Sequence, residues 1–351
     1  MGETTHHDVF TGGHVSPGTG TLWGIDDGRA AAYAVGPALF DPQVNGFAGV
    51  DFQAPELTRE ALEHAAEGIR GAGCAHFFPT LITDTAEAIE AKLANLNRCV
   101  GESSLLERMV PGVHVEGPFL SSLPGYHGAH SPENMRTPDW GLFERWQGAS
   151  GGRIRLVTVA PELPGAIEFI RRASAAGVAV SLGHTDADLA TLREAVAAGA
   201  CMFTHLGNGC PQLMHRHDNI IQRVLHVPEL WASLIPDGIH LPPFVLVNFA
   251  AQLGPDRVVF TTDAVSAAGA PPGSYRVGSM EIEVGADRVV MQPGGNGFAG
   301  SSLTMAEGLM NAAQFGGLGI GAAWRAWTRL RERLAPGVEV PLLRIPVLEI
   351  R

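Results

Sequence analysis

From about residue 38 the chain alternates short apolar runs with segments of helical periodicity, and it does so eight times. The strand-like runs are Ala38–Gln43, Ala75–Pro79, Val110–Glu116, Ile154–Ala160, Val178–His184, Cys201–His205, Ala232–Pro236 and Val258–Thr262. Helix-like segments fall between most of them, at Leu57–Gly71, Thr85–Val100, Pro164–Ala176, Ala187–Ala198 and Phe244–Leu253. Turn formers such as Gly71-Ala-Gly73 and Gly177 link the units, and Thr185-Asp186 offers a cap before Ala187. Eight strand–helix units predict an α/β chain closed into a (β/α)₈ TIM barrel rather than a six-strand open sheet. The G-x-G-x-x-G signature of dinucleotide binding does not follow the first strand. The ends break the pattern. Thr21–Gly24, Ala31–Val35 and the alternating stretch Val338–Arg351 predict one small β-subdomain built from residues 1–37 and 336–351. The barrel then spans 38–335, with a hairpin insertion near 275–291 that turns at Gly285-Ala-Asp287.

Charge and composition narrow the function. Lys+Arg total 24 against 36 Asp+Glu, a formal net charge of −12, which disfavours nucleic acid or an anionic membrane as partner. Four cysteines without a C-x-x-C pair point to a reducing compartment. No apolar run reaches the roughly 20 residues of a membrane span, and Met1–His7 does not begin a signal peptide. A soluble cytoplasmic protein is expected. The chain has a single lysine, Lys92, on an amphipathic segment where a solvated position is expected. Schiff-base chemistry, a Walker loop and a lysine-bridged metal pair lose their central residue.

Barrel enzymes carry their chemistry at the C-terminal ends of the strands. Those ends hold Gln43, Glu116, His184, His205 and Asp263, with His240 just past the seventh strand. Any one of these alone is readily a hydrogen-bonded buried polar group; six at equivalent positions call for a shared role. Glu116, His184 and His205 make a two-imidazole, one-carboxylate metal set with a position left for water. A divalent ion there would lower the pKa of water and polarise a carbonyl, and Asp263 is the matching general base. Ligand chemistry alone thus gives a metal hydrolase.

The strings around these residues go further: Asp41-Pro-Gln43-Val-Asn45-Gly46, His114-Val-Glu116-Gly-Pro118, Gly183-His184-Thr185, Thr204-His205-Leu-Gly-Asn208-Gly-Cys-Pro211, Asp237-Gly-Ile-His240, Thr262-Asp263-Ala264 and Gly300-Ser-Ser-Leu-Thr-Met305. Over about residues 38–315 the chain resembles N-acetylglucosamine-6-phosphate deacetylases of the amidohydrolase superfamily. The resemblance implies Glu116, His184 and His205 as ligands, Asp263 as catalytic base and acid, and His240 as the residue polarising the acetyl carbonyl. It implies substrate contacts from Gln43, His130, Asn208 and Gly209, a phosphate-binding Arg216 serving the neighbouring subunit of a homodimer, and Phe298-Ala299-Gly300 as the loop over the acetyl group. The expected substrate is an amino sugar phosphate, and the expected cofactor is one divalent ion per chain. Zn²⁺ comes first, with Fe²⁺, Co²⁺ and Mn²⁺ able to use the same donors.

Several positions depart from the pattern. Many amidohydrolases carry His-x-His at the end of strand one, where this chain has Gln43 and Asn45, neutral amides that are poor ligands for a transition metal. One ion rather than two follows. His114 shares the face of Glu116 by strand alternation and is expected behind the site rather than as a ligand, while Cys210 is expected as packing. Gly316–Arg351 lacks the Pro-Ala-rich helix and Gly-rich strands with which the resembled family ends. Two other functions stay open: a different amidohydrolase, acting on a cyclic amide, a lactone or an unphosphorylated N-acyl sugar, and a non-catalytic sugar-phosphate binding protein.

Overall fold

The computed structural model describes residues 22–24, 33–292, 294, 297–315 and 318–346. Of the expected end strands, Thr21, Ala31, Ala32 and Val347–Arg351 lie outside the described residues. Eight parallel strands form one sheet in sequence order: strand 1 Leu39–Val44, 2 Cys74–Ile82, 3 Val113–Glu116, 4 Ile154–Val159, 5 Ala179–Leu182, 6 Ala200–Phe203, 7 Trp231–Leu234 and 8 Val258–Phe260. Helices return the chain between most of them, as expected of a (β/α)₈ barrel. The strands stop short of the apolar runs at their C-terminal ends, so that His184 and His205 each stand two residues past a strand.

Closure between strands 1 and 8 rests on few contacts. Val44 and Ala264 form a single parallel bridge, and the Asn45 amide donates to the Ala264 carbonyl at 2.7 Å. The fully buried Asp41 carboxylate does the rest, accepting from the Thr261 and Thr262 hydroxyls at 2.6 Å each and from the Thr262 and Gln43 amides at 3.1 Å. Burial nevertheless pushes Asp41 up to about 6.

The barrel interior is layered. Phe40, Phe78, Leu156, Met202 and Val259 fill the lower end, and Leu330 and Leu334 pack beneath them. Above lies a belt of buried polar side chains. His114 meets Thr80 at 3.3 Å and Thr158 at 2.8 Å; Thr158 meets Thr204, and Thr204 meets Ser181. Burial holds His114 down at about 4, so it serves as a neutral link in the belt beneath the site.

Outside the barrel, Tyr33–Pro37 pairs antiparallel with both Leu22–Gly24 and Leu342–Pro346, joining the two ends of the chain. A second antiparallel sheet comprises Gly273–Val277, Met280–Val284 and Val290–Met291.

Four expectations need correction. The hairpin turns at Gly278-Ser279, because Val277 pairs with Met280; Gly285 begins the link to the third strand instead. The helix expected from Ala187 starts at Leu189, capped by Asp188. Glu162 holds Thr185 and the Asp186 amide, which keeps that turn out of the helix. Lys92 is not solvated: its side chain is 9% exposed and pairs with Asp84 at 2.7 Å. Finally, the C-terminal stretch contains a 16-residue amphipathic helix, Gly319–Leu334, burying Ile320, Trp324, Trp327 and Leu330. Trp324 ties it to the Pro37 carbonyl at 2.7 Å, and Trp327 packs near Phe260 of strand 8.

Asp41 supplies a test of barrel closure. Asp41→Ala takes the acceptor from the Gln43 and Thr262 amides and the Thr262 hydroxyl and should destabilise the fold by on the order of 2–3 kcal/mol. The folded-state value of about 6 lies above the ordinary 3.8, so the contribution of Asp41 is fullest below about 4 and is lost as pH rises through about 6. Denaturant unfolding should therefore show a larger gap between wild type and variant at pH 5 than at pH 7; a gap that grows with pH would contradict this.

Candidate active site

At the C-terminal end of the barrel, side chains from six strand ends or their loops converge on the carboxylate of Glu116. Its Oε1 lies 3.0 Å from His205 Nε2 and 3.4 Å from His184 Nε2, and the two imidazole nitrogens are 3.2 Å apart. Its Oε2 accepts from Gln43 Nε2 at 3.0 Å and stands 3.8 Å from His130 Nε2. The same Gln43 nitrogen lies 3.0 Å from Asp263 Oδ1, which also accepts from Asn45 Nδ2 at 2.7 Å. His240 pairs through Nδ1 with Asp237 at 2.6 Å.

The backbone is strained where these groups are presented. His184, His205 and Asp263 have φ of 51°, 31° and 50°, in the left-handed region that non-glycine residues seldom enter. Each such residue costs about 1–3 kcal/mol and persists only where its surroundings impose it. For His184 they include the Tyr126 carbonyl, 2.8 Å from Nδ1; for His205 they include the Ser233 hydroxyl, which accepts from its amide at 2.7 Å.

The two carboxylates are driven apart. Burial alone would raise Glu116, but hydrogen bonds from His184 and His205 hold it well below the usual range. Asp263 is pushed up to about 6, by burial first and then by the negative Glu116 beside it. Burial also pulls His130 down to about 3. A low carboxylate beside a raised one is the division of labour expected of a fixed ligand and a proton carrier.

The spacing suits an ion. Ligands about 2.0–2.1 Å from a tetrahedral metal lie about 3.3 Å from one another, close to the 3.0–3.4 Å among Glu116, His184 and His205. With Nδ1 of His184 against a carbonyl, its Nε2 turns a lone pair toward the cluster. Glu116, His130 and His184 also bring ligand atoms within 4.8 Å of one another. His205 fits better as the third donor, because it meets the same carboxylate oxygen as His184, whereas His130 faces the other oxygen and is tied to Thr83 at 2.9 Å.

A cavity of about 680 Å³ opens over this cluster. An N-acetylglucosamine-6-phosphate deacetylase of Bacillus subtilis (strain 168) is 33% identical over 281 residues, covering 80% of this chain and 69% of that protein. The chain belongs to the N-acetylglucosamine-6-phosphate deacetylase family. The Bos taurus protein of that name is 37% identical over 256 residues, of which the match spans 61% of its length and 71% of this chain. An N-acetylgalactosamine-6-phosphate deacetylase of Escherichia coli O157:H7 is 32% identical over 286 residues, 80% of this chain and 73% of that one. Among solved structures, the Mycobacterium smegmatis deacetylase superposes with a TM-score of 0.81 at 29% identity, covering 95% of this chain and 87% of its own. No protein-family model matches the chain.

Most of the residues that the family resemblance singles out meet at this cavity. Glu116, His130, His184, His205, Asn208, Gly209, His240, Asp263, Phe298, Ala299 and Gly300 line it, and Gln43 reaches it through its two carboxylate contacts. Phe298 lies against the His240 ring with centroids 4.8 Å apart. Gly300 is required where it stands: φ is 75°, and a Cβ would fall 2.4 Å from Val265 Cγ1. Arg216 is the exception, being exposed and outside the lining. His114 sits below the site in the polar belt, and Cys210 lines the cavity half-buried, its thiol pushed up to about 11 by burial. Sequence reasoning missed Asn45 as a partner of Asp263, Asp237 as the anchor of His240, and His127 in the lining. The Asp-x-x-His spacing was a signal for Asp237; the other two depend on which loops meet in space.

The shared amide of Gln43 is open to test. Gln43→Ala removes the donor common to Glu116 and Asp263, and partners of this kind contribute about 10- to 100-fold to metal affinity or activity. Competition with a chelator should show metal affinity falling by that order. Unchanged affinity and turnover would mean the amide has no part in holding the two carboxylates.

Proposed function

We propose that the chain is a metal-dependent amidohydrolase that cleaves the acetamide of an N-acetylated amino sugar phosphate, N-acetylglucosamine 6-phosphate first, to acetate and the amino sugar phosphate. The observation that carries this reading is the raised Asp263 carboxyl beside the tight set Glu116, His184 and His205, inside a family whose relatives are so named. The match spans about three fifths to seven tenths of the relatives' own lengths, so substrate and assembly are carried over as part of the proposal.

Glu116, His184 and His205 would hold one divalent ion, Zn²⁺ by first choice, which polarises the acetyl carbonyl and acidifies water. Asp263 takes the proton of the attacking water. Gln43 and Asn45 hold its carboxylate meanwhile, by donating to Oδ1. Once protonated, Asp263 delivers that proton to the nitrogen, so that a neutral amine leaves rather than an amide anion. Held by Asp237 through Nδ1, His240 presents Nε2 to the acetyl oxygen as negative charge develops there. Phe298, Ala299 and Gly300 wall the acetyl group, with His130 and Gln43 beside the ion set.

The phosphate would lie toward Asn208 and Gly209. Arg216 is exposed on its loop, so its phosphate role requires a homodimer in which Arg216 of the partner subunit reaches the cavity. A cytoplasmic site of action fits the cysteine usage, and no described helix is long and apolar enough to cross a membrane. One observation favours a second reading, an unphosphorylated N-acyl sugar: among the described residues no lysine or arginine lines the cavity.

Asp263→Asn tests the mechanism. It removes a group that works twice, so kcat should fall by more than the roughly 10²–10⁴ of a single acid–base contribution, with little change in substrate Kd. A variant that keeps a tenth of wild-type turnover would unseat Asp263.

A further inference from the structure

The turn that presents His184 is gripped from outside the cavity. It runs through Thr185, Asp186 and Ala187 to the helix Leu189–Ala198, and residues of two neighbouring units hold it. From the loop after strand 4, Glu162 takes the Thr185 hydroxyl and the Asp186 amide. From the short helix Ile220–His226, Arg223 reaches across with a side chain only 14% exposed. Its Nη1 donates to the Asp186 carbonyl at 3.2 Å, the Asp186 carboxylate at 3.1 Å and the Ala187 carbonyl at 3.1 Å. Its Nε and Nη2 turn to the carboxylate and carbonyl of Asp218, at 2.6 Å and 3.3 Å. One planar guanidinium thus joins two chain segments, a task for a rigid fork of donors rather than a point charge.

This grip reaches His184 by two routes. Along the chain, Asp186 stands two residues past His184, whose φ of 51° persists only where its surroundings impose it. Through space, the Asp186 carboxylate lies beside the Tyr126 phenol, which burial and then that carboxylate push up. The carbonyl of the same Tyr126 is 2.8 Å from His184 Nδ1. Folding energy alone gives little reason for such a clamp. The Asp186 and Asp218 side chains are 43% and 71% exposed, and pairs with carboxylates so open to solvent contribute little to stability. What the clamp adds is geometry.

We propose that Arg223, which is not among the residues lining the cavity, is a positioning residue for the ligand His184. It fixes the turn after strand 5 so that Nε2 keeps its place, 3.4 Å from Glu116 Oε1 and 3.2 Å from His205 Nε2. This rests on the reading of Glu116, His184 and His205 as the ion set. Arg223 touches neither ion nor substrate and acts through Asp186 and Tyr126.

The test strips the full chain of metal and titrates it with Zn²⁺ against a chromogenic chelator. Arg223→Met, similar in length and apolar, should lower Zn²⁺ affinity about tenfold, the low end of what partners of ligand histidines contribute. Arg223→Lys, able to hold one segment at a time, should fall between the two. Lys92→Met removes another cation of low exposure, paired with Asp84 at 2.7 Å, and should leave affinity unchanged. In a His184→Ala background, Arg223→Met should cost nothing further, because the ligand it supports is already gone. If the methionine variant does not fold, the lysine variant carries the measurement in both backgrounds. Unchanged affinity on substituting Arg223, an equal loss in Lys92→Met, or a loss that persists without His184 overturns the role of Arg223 and leaves the ion set standing. A wild type that binds no Zn²⁺, or a His184→Ala variant that binds it as tightly, overturns the ion set itself.

Discussion

Two carboxylates, one buried and one half-buried, share one amide nitrogen, and the site is organised around that constraint. Glu116 and Asp263 both lie within 3.0 Å of Gln43 Nε2 at the C-terminal end of the barrel. Like charges this close cannot both ionise freely without compensation. The resolution is asymmetric: Glu116 takes the imidazoles of His184 and His205 and stays ionised, while Asp263 takes only amides and is raised to about 6. One carboxylate is thereby kept as a fixed anionic ligand and the other as a group able to gain and lose a proton near neutrality. Charged ligands in place of Gln43 and Asn45 would change this balance, because they would bring a second ion to the side of Asp263.

The barrel makes such an arrangement affordable. Below the ligands, the belt of His114, Thr80, Thr158, Thr204 and Ser181 is internally hydrogen-bonded, so polar side chains near the site do not leave unpaired groups in the core. Beneath that, an apolar layer around Phe40 and Phe78 supplies close packing. The left-handed residues His184, His205 and Asp263 store strain at the rim, where it is held by neighbouring loops. Asp41 links the first and last strands just under Gln43, which ties barrel closure to the positioning of that amide.

The strand ends were legible because an ionisable residue at the end of an apolar run is out of place unless it is used. That logic found Gln43, Glu116, His184, His205, His240 and Asp263 together and gave a metal hydrolase, and the resemblance supplied the deacetylase reaction and the role of His240. It was less informative where pairing depends on geometry. The turn at Gly278 competed with an equally plausible one at Gly285, and only the Val277–Met280 pairing decides between them. Lys92 lies on a helix face that periodicity assigned to solvent, yet Asp84 draws it inward. Gly319–Leu334 was missed as a helix because its glycines and the absence of a family-like ending masked an apolar face of Ile320, Trp324, Trp327 and Leu330. The grip of Arg223 on the turn after His184 has no local signature at all.

The most direct measurement is hydrolysis of N-acetylglucosamine 6-phosphate by the metal-loaded protein in ¹⁸O-labelled water, repeated after the ion is stripped by a chelator. Water attack at the acetyl carbon predicts one labelled oxygen in the released acetate, none in the amino sugar phosphate, and release that stops on chelation and returns with the metal. Unlabelled acetate, label in the sugar, or full activity in the stripped protein would contradict the account.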